Sequence, residues 1–211
     1  MITDINLLDL NNVYTYADYL SWKFSERVEL IKGKIFKMSP APSVIHQQVS
    51  SNLLGEIRNH IKESPCQVFH APFDVRLPIK PKNHEQVDTV VQPDITVICD
   101  KSKLDAKGCN GAPDLVVEII SPSSANKDLH EKYDQYEEAG VKEYWVVFPG
   151  EGSITQFVLD SNGKYQAKRP YTFIDNIESV AIPGLVIKLD DIFPNSLKEP
   201  EGEYGDNVRR I

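Results

Sequence analysis

From residue 27 the chain reads RVELIKGKIFKM, with apolar and polar positions alternating on either side of Lys32 and Gly33, the pattern of two short strands joined by a tight turn. The segment SPAPS at 39–43 breaks that hairpin. Beyond it Val49, Leu53, Ile57 and Ile61 recur every four residues with Leu54 beside them, which predicts an amphipathic helix over roughly 45–62. Three β-branched stretches of strand length follow at 67–77, 90–99 and 114–120, each bounded by Pro, Gly, Asn or Asp. A second helix is expected over 124–139, capped by Ser123 or Ser124, with Leu129, Tyr133, Tyr136 and Ala139 on its apolar face and Gly140 after its end. KEYWVVF at 142–148 then reads as a buried strand. The predicted order is therefore helix, three strands, helix, strand.

Outside that core the chain adds smaller pieces. Residues 1–26 form an N-terminal extension with a short helical lead-in carrying Tyr14, Tyr16, Tyr19, Leu20 and Trp22. The stretches 154–159 and 165–171 flank Ser-Asn-Gly-Lys, a hairpin signal, and a last strand is expected at 185–189. One α/β domain over 27–193 and a polar, Gly- and Pro-punctuated tail at 194–211 complete the expected organisation.

Composition narrows the function classes. No run of about 18 apolar residues occurs, and the first residues carry acids where a secretion signal carries bases, so a soluble, cytoplasmic protein is expected. Three cysteines, Cys66, Cys99 and Cys109, with no CxxC pair, point to neither a disulfide framework nor a cysteine zinc site. The net charge of −8 counts against broad electrostatic attraction to nucleic acid, although carboxylates that hold a divalent cation account for part of it.

The chemistry stands out as two acids where strands should be apolar. Asp94 interrupts VVQPDITVI and Glu118 interrupts DLVVEIISP. A buried ionised carboxylate needs a donor, a cation or solvent. Alternation puts Asp94, Thr96 and Ile98 on one face of their strand and Asp114, Val116, Glu118 and Ile120 on one face of theirs, so adjacent strands would bring Asp94 and Glu118 together if those faces coincide. Such a pair suits Mg²⁺, with Mn²⁺ as a substitute. The bland alternative has Asp94 capping a strand end after Pro93 and Glu118 paired with a buried Arg or Lys. Lys132, at the border of the second helix's inward stripe, can reach the sheet; an ion pair with Asp128 is its alternative. His46 at the start of the first helix and Glu29 in the hairpin are further candidates of second rank.

These blocks resemble the Uma2 family of endonucleases: VELIKGKIFKMSPAPSVIHQQV at 28–49, CQVFHAPFDVRLP at 66–78, VVQPDITVICD at 90–100, GAPDLVVEIISPSS at 111–124, KYDQYEEAGVKEYWVVFP at 132–149 and IPGLVIKLDDIF at 182–193. The resemblance implies the PD-(D/E)XK restriction-endonuclease-like fold, with Pro93-Asp94 as the PD element and Glu118 as the second acid. It further implies a Mg²⁺-dependent endonuclease hydrolysing phosphodiester bonds in DNA. The sequence departs from the superfamily pattern at Ile120, where a lysine is expected, and Lys132 is the natural substitute. A non-catalytic nucleic-acid or protein interaction domain on the same fold is the rival expectation. Apolar edge strands and the C-terminal hairpin also make a homodimer plausible.

Overall fold

A computed structural model describes residues 2–38, 41–79, 86–121 and 127–194. Its N-terminal part begins with α1 (Tyr16–Ser21), closed at its start by a capping box in which Thr15 and Asp18 exchange hydrogen bonds. The hairpin is present as β1 (Val28–Ile31) and β2 (Lys34–Lys37). Lys32 and Gly33 both have positive φ, 51° and 74°, as a two-residue turn matched to strand twist requires. Next comes α2 (Val44–His60), whose N-cap Ser43 accepts from the His46 N–H. Val49, Leu53 and Ile57 are wholly buried along one side of α2, each contributing about 1.5–3 kcal/mol of burial.

The first two expected strands each divide. Residues 67–77 form β3 (Gln67–His70) and β4 (Val75–Arg76), and residues 90–99 form β5 (Val90–Val91) and β6 (Ile95–Ile98). Pro72 and Pro93 lie at the two breaks, where the missing N–H interrupts a ladder and lets the chain pass from one sheet to another. Then come β7 (Leu104–Asp105), β8 (Gly108–Asn110) and β9 (Leu115–Ile119). The second helix opens with a π-helical turn, Lys127–Lys132, and continues as α3 (Tyr133–Ala139), ended by Gly140 in the left-handed conformation. The expected caps Ser123 and Ser124 lie outside the described residues, as do the Asp128 side chain and the tail beyond 194.

The remaining strands are β10 (Glu143–Phe148), β11 (Ser153–Leu159), β12 (Tyr165–Ala167), β13 (Tyr171–Thr172), β14 (Asn176–Glu178) and β15 (Val186–Lys188). The central sheet runs β12-β11-β10-β9-β6-β3, with β13 also on β11. Strands β9 and β10 are parallel and joined through α3; β6 is antiparallel to β9, and β3 to β6. Helix α2 packs on one face against Ile95, Val97, Leu115, Val117, Ile119, Trp145 and Val147. Tyr136 of α3 joins Ile98, Val116, Tyr144 and Val146 on the other. Burial on both faces explains why these strands read as unbroken apolar runs.

A second sheet, β2-β1-β5-β4-β8-β7, was not foreseen. Its Ile31, Val75 and Val91 join the α3-side cluster, while Val28, Leu30 and Val90 pack against Tyr16 and Trp22 of the N-terminal segment. The result is a mixed α/β fold with several sheets and few helices. One expectation about cysteine is corrected: Cys66 and Cys99 form a disulfide. The antiparallel register pairs Gln67 with Ile98, so the next residues out, Cys66 and Cys99, fall opposite each other, which a sequence separation of 33 conceals.

Candidate active site

Asp94 lies where the chain leaves the second sheet and enters the central one, immediately before β6. Its carbonyl accepts from the Ala71 N–H at 3.1 Å. Continuing the β6–β9 register one residue beyond Ile95 opposite Val117 sets Asp94 opposite Glu118, on the shared face that alternation predicts. Asp94 Oδ2 accepts from the Ile119 N–H at 2.8 Å, so the acid is fastened to the strand carrying its counterpart. His46 Nε2, from the first turn of α2, stands 3.3 Å from the same oxygen.

Glu118 is held from the opposite side. Lys132 Nζ donates to its Oε1 at 2.8 Å, and the Tyr136 hydroxyl donates to the same oxygen at 2.6 Å. Lys132 and Tyr136 are four residues apart, one turn of helix, and therefore meet one target together. Lys132 Nζ also lies 2.9 Å from Glu29 Oε1, which accepts from the Gln92 N–H at 2.9 Å. A lysine between two carboxylates is the arrangement that makes three buried charges tolerable, since each acid faces a cation rather than its neighbour.

The side chains of Glu29, Glu118 and Lys132 are 0%, 4% and 3% exposed, whereas Asp94 is 22% exposed, so Asp94 is the acid that meets solvent. Burial, followed by the nearby Glu118 charge, pushes the Tyr136 hydroxyl well above the usual phenol range. It therefore remains a donor to Glu118.

The sequence candidates thus fall into two groups joined through the β6–β9 pairing: Asp94 with His46, and Glu118 with Lys132 and Glu29. Glu29 is more central than its second-rank place suggested, because the second sheet carries it over α3. Tyr136 and Gln92 were missed as polar partners. The lysine-to-tyrosine spacing on α3 was a usable signal for the first; nothing local marked the second. Among the described residues no three His, Cys, Asp or Glu side chains gather into a metal-holding group. Asp94 and Glu118 are set opposite each other across β6 and β9, and Asp94 is the member that reaches solvent.

The family model described as "Uma2: Putative restriction endonuclease" matches residues 16–190. The chain belongs to the Uma2 family. The matched span holds every site residue named above. A further relative of this Uma2 chain is an uncharacterized protein of Synechocystis sp., 25% identical over 179 residues, covering 83% of this chain and 89% of the relative. Among solved structures, a "putative nuclease belonging to DUF820" from Anabaena variabilis superposes with a TM-score of 0.61 at 18% identity, over 79% of this chain and 89% of that one. The Uma2 chain therefore shares its fold with that protein. No helix among the described residues is long and apolar enough to cross a membrane.

Proposed function

We propose that this Uma2 protein is a Mg²⁺-dependent endonuclease that hydrolyses phosphodiester bonds in DNA on a PD-(D/E)XK core. The observation carrying this reading is that Lys132 Nζ lies 2.8 Å from Glu118 while Asp94 is set opposite Glu118 on the neighbouring strand. The order α2, β3, β6, β9, α3, β10, with the other strands assigned to a second sheet, supports the core assignment.

Asp94 and Glu118 are the residues that would hold the cation. Bound Mg²⁺, or Mn²⁺ in its place, would supply Lewis-acid polarisation of the scissile phosphate and a more acidic water. Lys132, delivered from α3, takes the part of the lysine that Ile120 does not provide, as a fixed positive charge beside the developing negative charge. Glu29 and Tyr136 position that pair, one by holding the ammonium and the other by fixing the Glu118 oxygen. His46 orients Asp94.

A net charge of −8 and Ile120 favour a second reading, a nucleic-acid or protein interaction domain without catalysis. Incubation of supercoiled and linear DNA with Mg²⁺, Mn²⁺ or EDTA separates the two. Cleavage is expected with either metal and none with EDTA, and Asp94→Ala and Glu118→Gln should each lower it by about 100-fold or more. If both variants cut like the wild type, or EDTA changes nothing, the catalytic reading fails.

A further inference from the structure

An open recess of about 350 Å³ lies at Gln92, two residues before Asp94 in the chain. Its walls are the 72–74 loop that follows β3 and the tight turn between β7 and β8, and Gln92 lies between them. Several contacts make these walls rigid. The Cys109 N–H donates to the Asp74 carbonyl at 2.9 Å. Gly108, at φ +124°, lies so close that any Cβ there would run into that carbonyl oxygen. On the other side, the Ala71 N–H holds the Asp94 carbonyl, so the loop is fastened to the segment carrying the proposed metal ligand.

Gln92 connects the recess to the site. Its N–H donates to Glu29 of the acidic cluster, while its side chain belongs to the recess, with Nε2 donating to Asp74 Oδ1 at 2.8 Å and Oε1 accepting from Arg27 Nη2 at 2.7 Å. The Tyr19 hydroxyl also donates to Asp74 Oδ1, at 3.2 Å. Asp74 Oδ2 accepts no hydrogen bond among the described residues, so one oxygen of a half-buried, firmly positioned carboxyl is open to a donor from outside. Phe73, stacked on Phe69 with centroids 4.2 Å apart, lines the recess beside it.

The chemistry of this lining selects its occupant. Two carboxyl groups, Asp74 and Asp105, outnumber the one cation of the lining, Lys107, so the recess does not follow the phosphate backbone of a strand. An aromatic ring next to a fixed hydrogen-bond acceptor is what proteins use to stack a base and read its amino edge. An acidic chain, with 31 Asp and Glu against 23 Lys and Arg, also gains nothing from its overall charge when it meets a duplex. We propose that the recess seats one unpaired nucleobase, stacked on Phe73 with its exocyclic amino group donating to Asp74, next to the phosphate presented to Asp94 and Glu118. The preferred substrate is then a strand whose unpaired base at that position carries an exocyclic amino group, cytosine, adenine or guanine rather than thymine. This inference rests on the nuclease reading for the phosphate but not for the base.

Fluorescence anisotropy of the full chain in EDTA tests it without cleavage. Short single strands of cytosine, adenine or thymine are compared with an abasic strand and with duplex of equal length, in deoxyribose and ribose forms. Cytosine and adenine strands should bind about tenfold or more tightly than the abasic strand, the scale of one stacked base. They should also exceed thymine and duplex by about fivefold or more. Phe73→Ala should abolish the difference between base and abasic strands, and Asp74→Ala the preference over thymine. Equal binding of base and abasic strands by the wild type, duplex binding as tight as single strand, or no binding at all overturns the proposal without relying on any variant's folding. The sugar series shows whether the bound strand is DNA or RNA. Cleavage is scored separately: base-dependent binding without Mg²⁺-dependent cleavage keeps the recess and sinks the nuclease reading, and cleavage without base dependence does the reverse.

Discussion

Lys132 is the residue on which the site depends most. It is 2% exposed and lies within 2.9 Å of two carboxylates, so truncating it leaves Glu29 and Glu118 buried with their shared cation gone. Breaking a buried pair from one side costs about 3–5 kcal/mol. Lys132→Met should therefore lower stability in urea unfolding by that amount, and a loss within experimental error of zero would show that the three charges are not coupled. Asp74 gives a pH-dependent case. Burial raises its carboxyl above the ordinary 3.8, only partly opposed by the hydrogen bonds from Gln92 and Tyr19. The folded state thus holds this proton more tightly than the unfolded chain does. Asp74's contribution to stability is fully present below 3.8 and is lost as pH rises through its folded value. Asp74→Asn, which cannot ionise, should gain stability relative to wild type as pH rises across that interval, with the gap level above it. Thermal melts from acid to neutral pH check the sign, and a gap that grows toward low pH would contradict it.

At the scale of elements, the 176–188 hairpin of β14 and β15 is tied to the central sheet by one buried acid. Glu143 of β10 is 0% exposed and accepts from Trp145 Nε1, Gln156 Nε2, the Ser179 hydroxyl and the N–H groups of Val180 and Ala181. Every partner is a donor, so a carboxylate fits and an amide of equal size does not. Glu143→Gln should cost about 1–3 kcal/mol, as an NH₂ group then faces donors. The loss should appear first as faster hydrogen exchange in β14 and β15; exchange unchanged there would refute the tie. The strand pattern of this region was partly legible, since the Asn162-Gly163 turn and the 186–188 strand both stood in the text. The carboxylate was not, because Glu143 opens an apolar run and looks like an exposed first residue.

At the scale of the molecule, overall charge bears on the binding mode proposed above. If the recess and not a basic surface holds the strand, few phosphates are neutralised, and the affinity of this chain of net charge −8 for single strands should fall only shallowly with salt. A plot of log affinity against log salt steeper than about −3 would indicate several phosphate contacts and a backbone-gripping surface instead.

Local pattern in the chain was enough to place the elements of the core and to point to the chemistry. Periodicity of four placed α2, β-branched runs placed the strands of the central sheet, and two carboxylates in apolar text marked Asp94 and Glu118 before any fold was known. These features were readable because they are local: a helix or strand writes its period into its own residues, and a buried charge is conspicuous against its neighbours. Which sheet each half of 67–77 and 90–99 joins, the meeting of Cys66 with Cys99, and the sharing of Lys132 by Glu29 and Glu118 emerge only in three dimensions. Those outcomes depend on which distant segments pair across the sheets and over α3, and pairing between segments tens of residues apart leaves no period in either one.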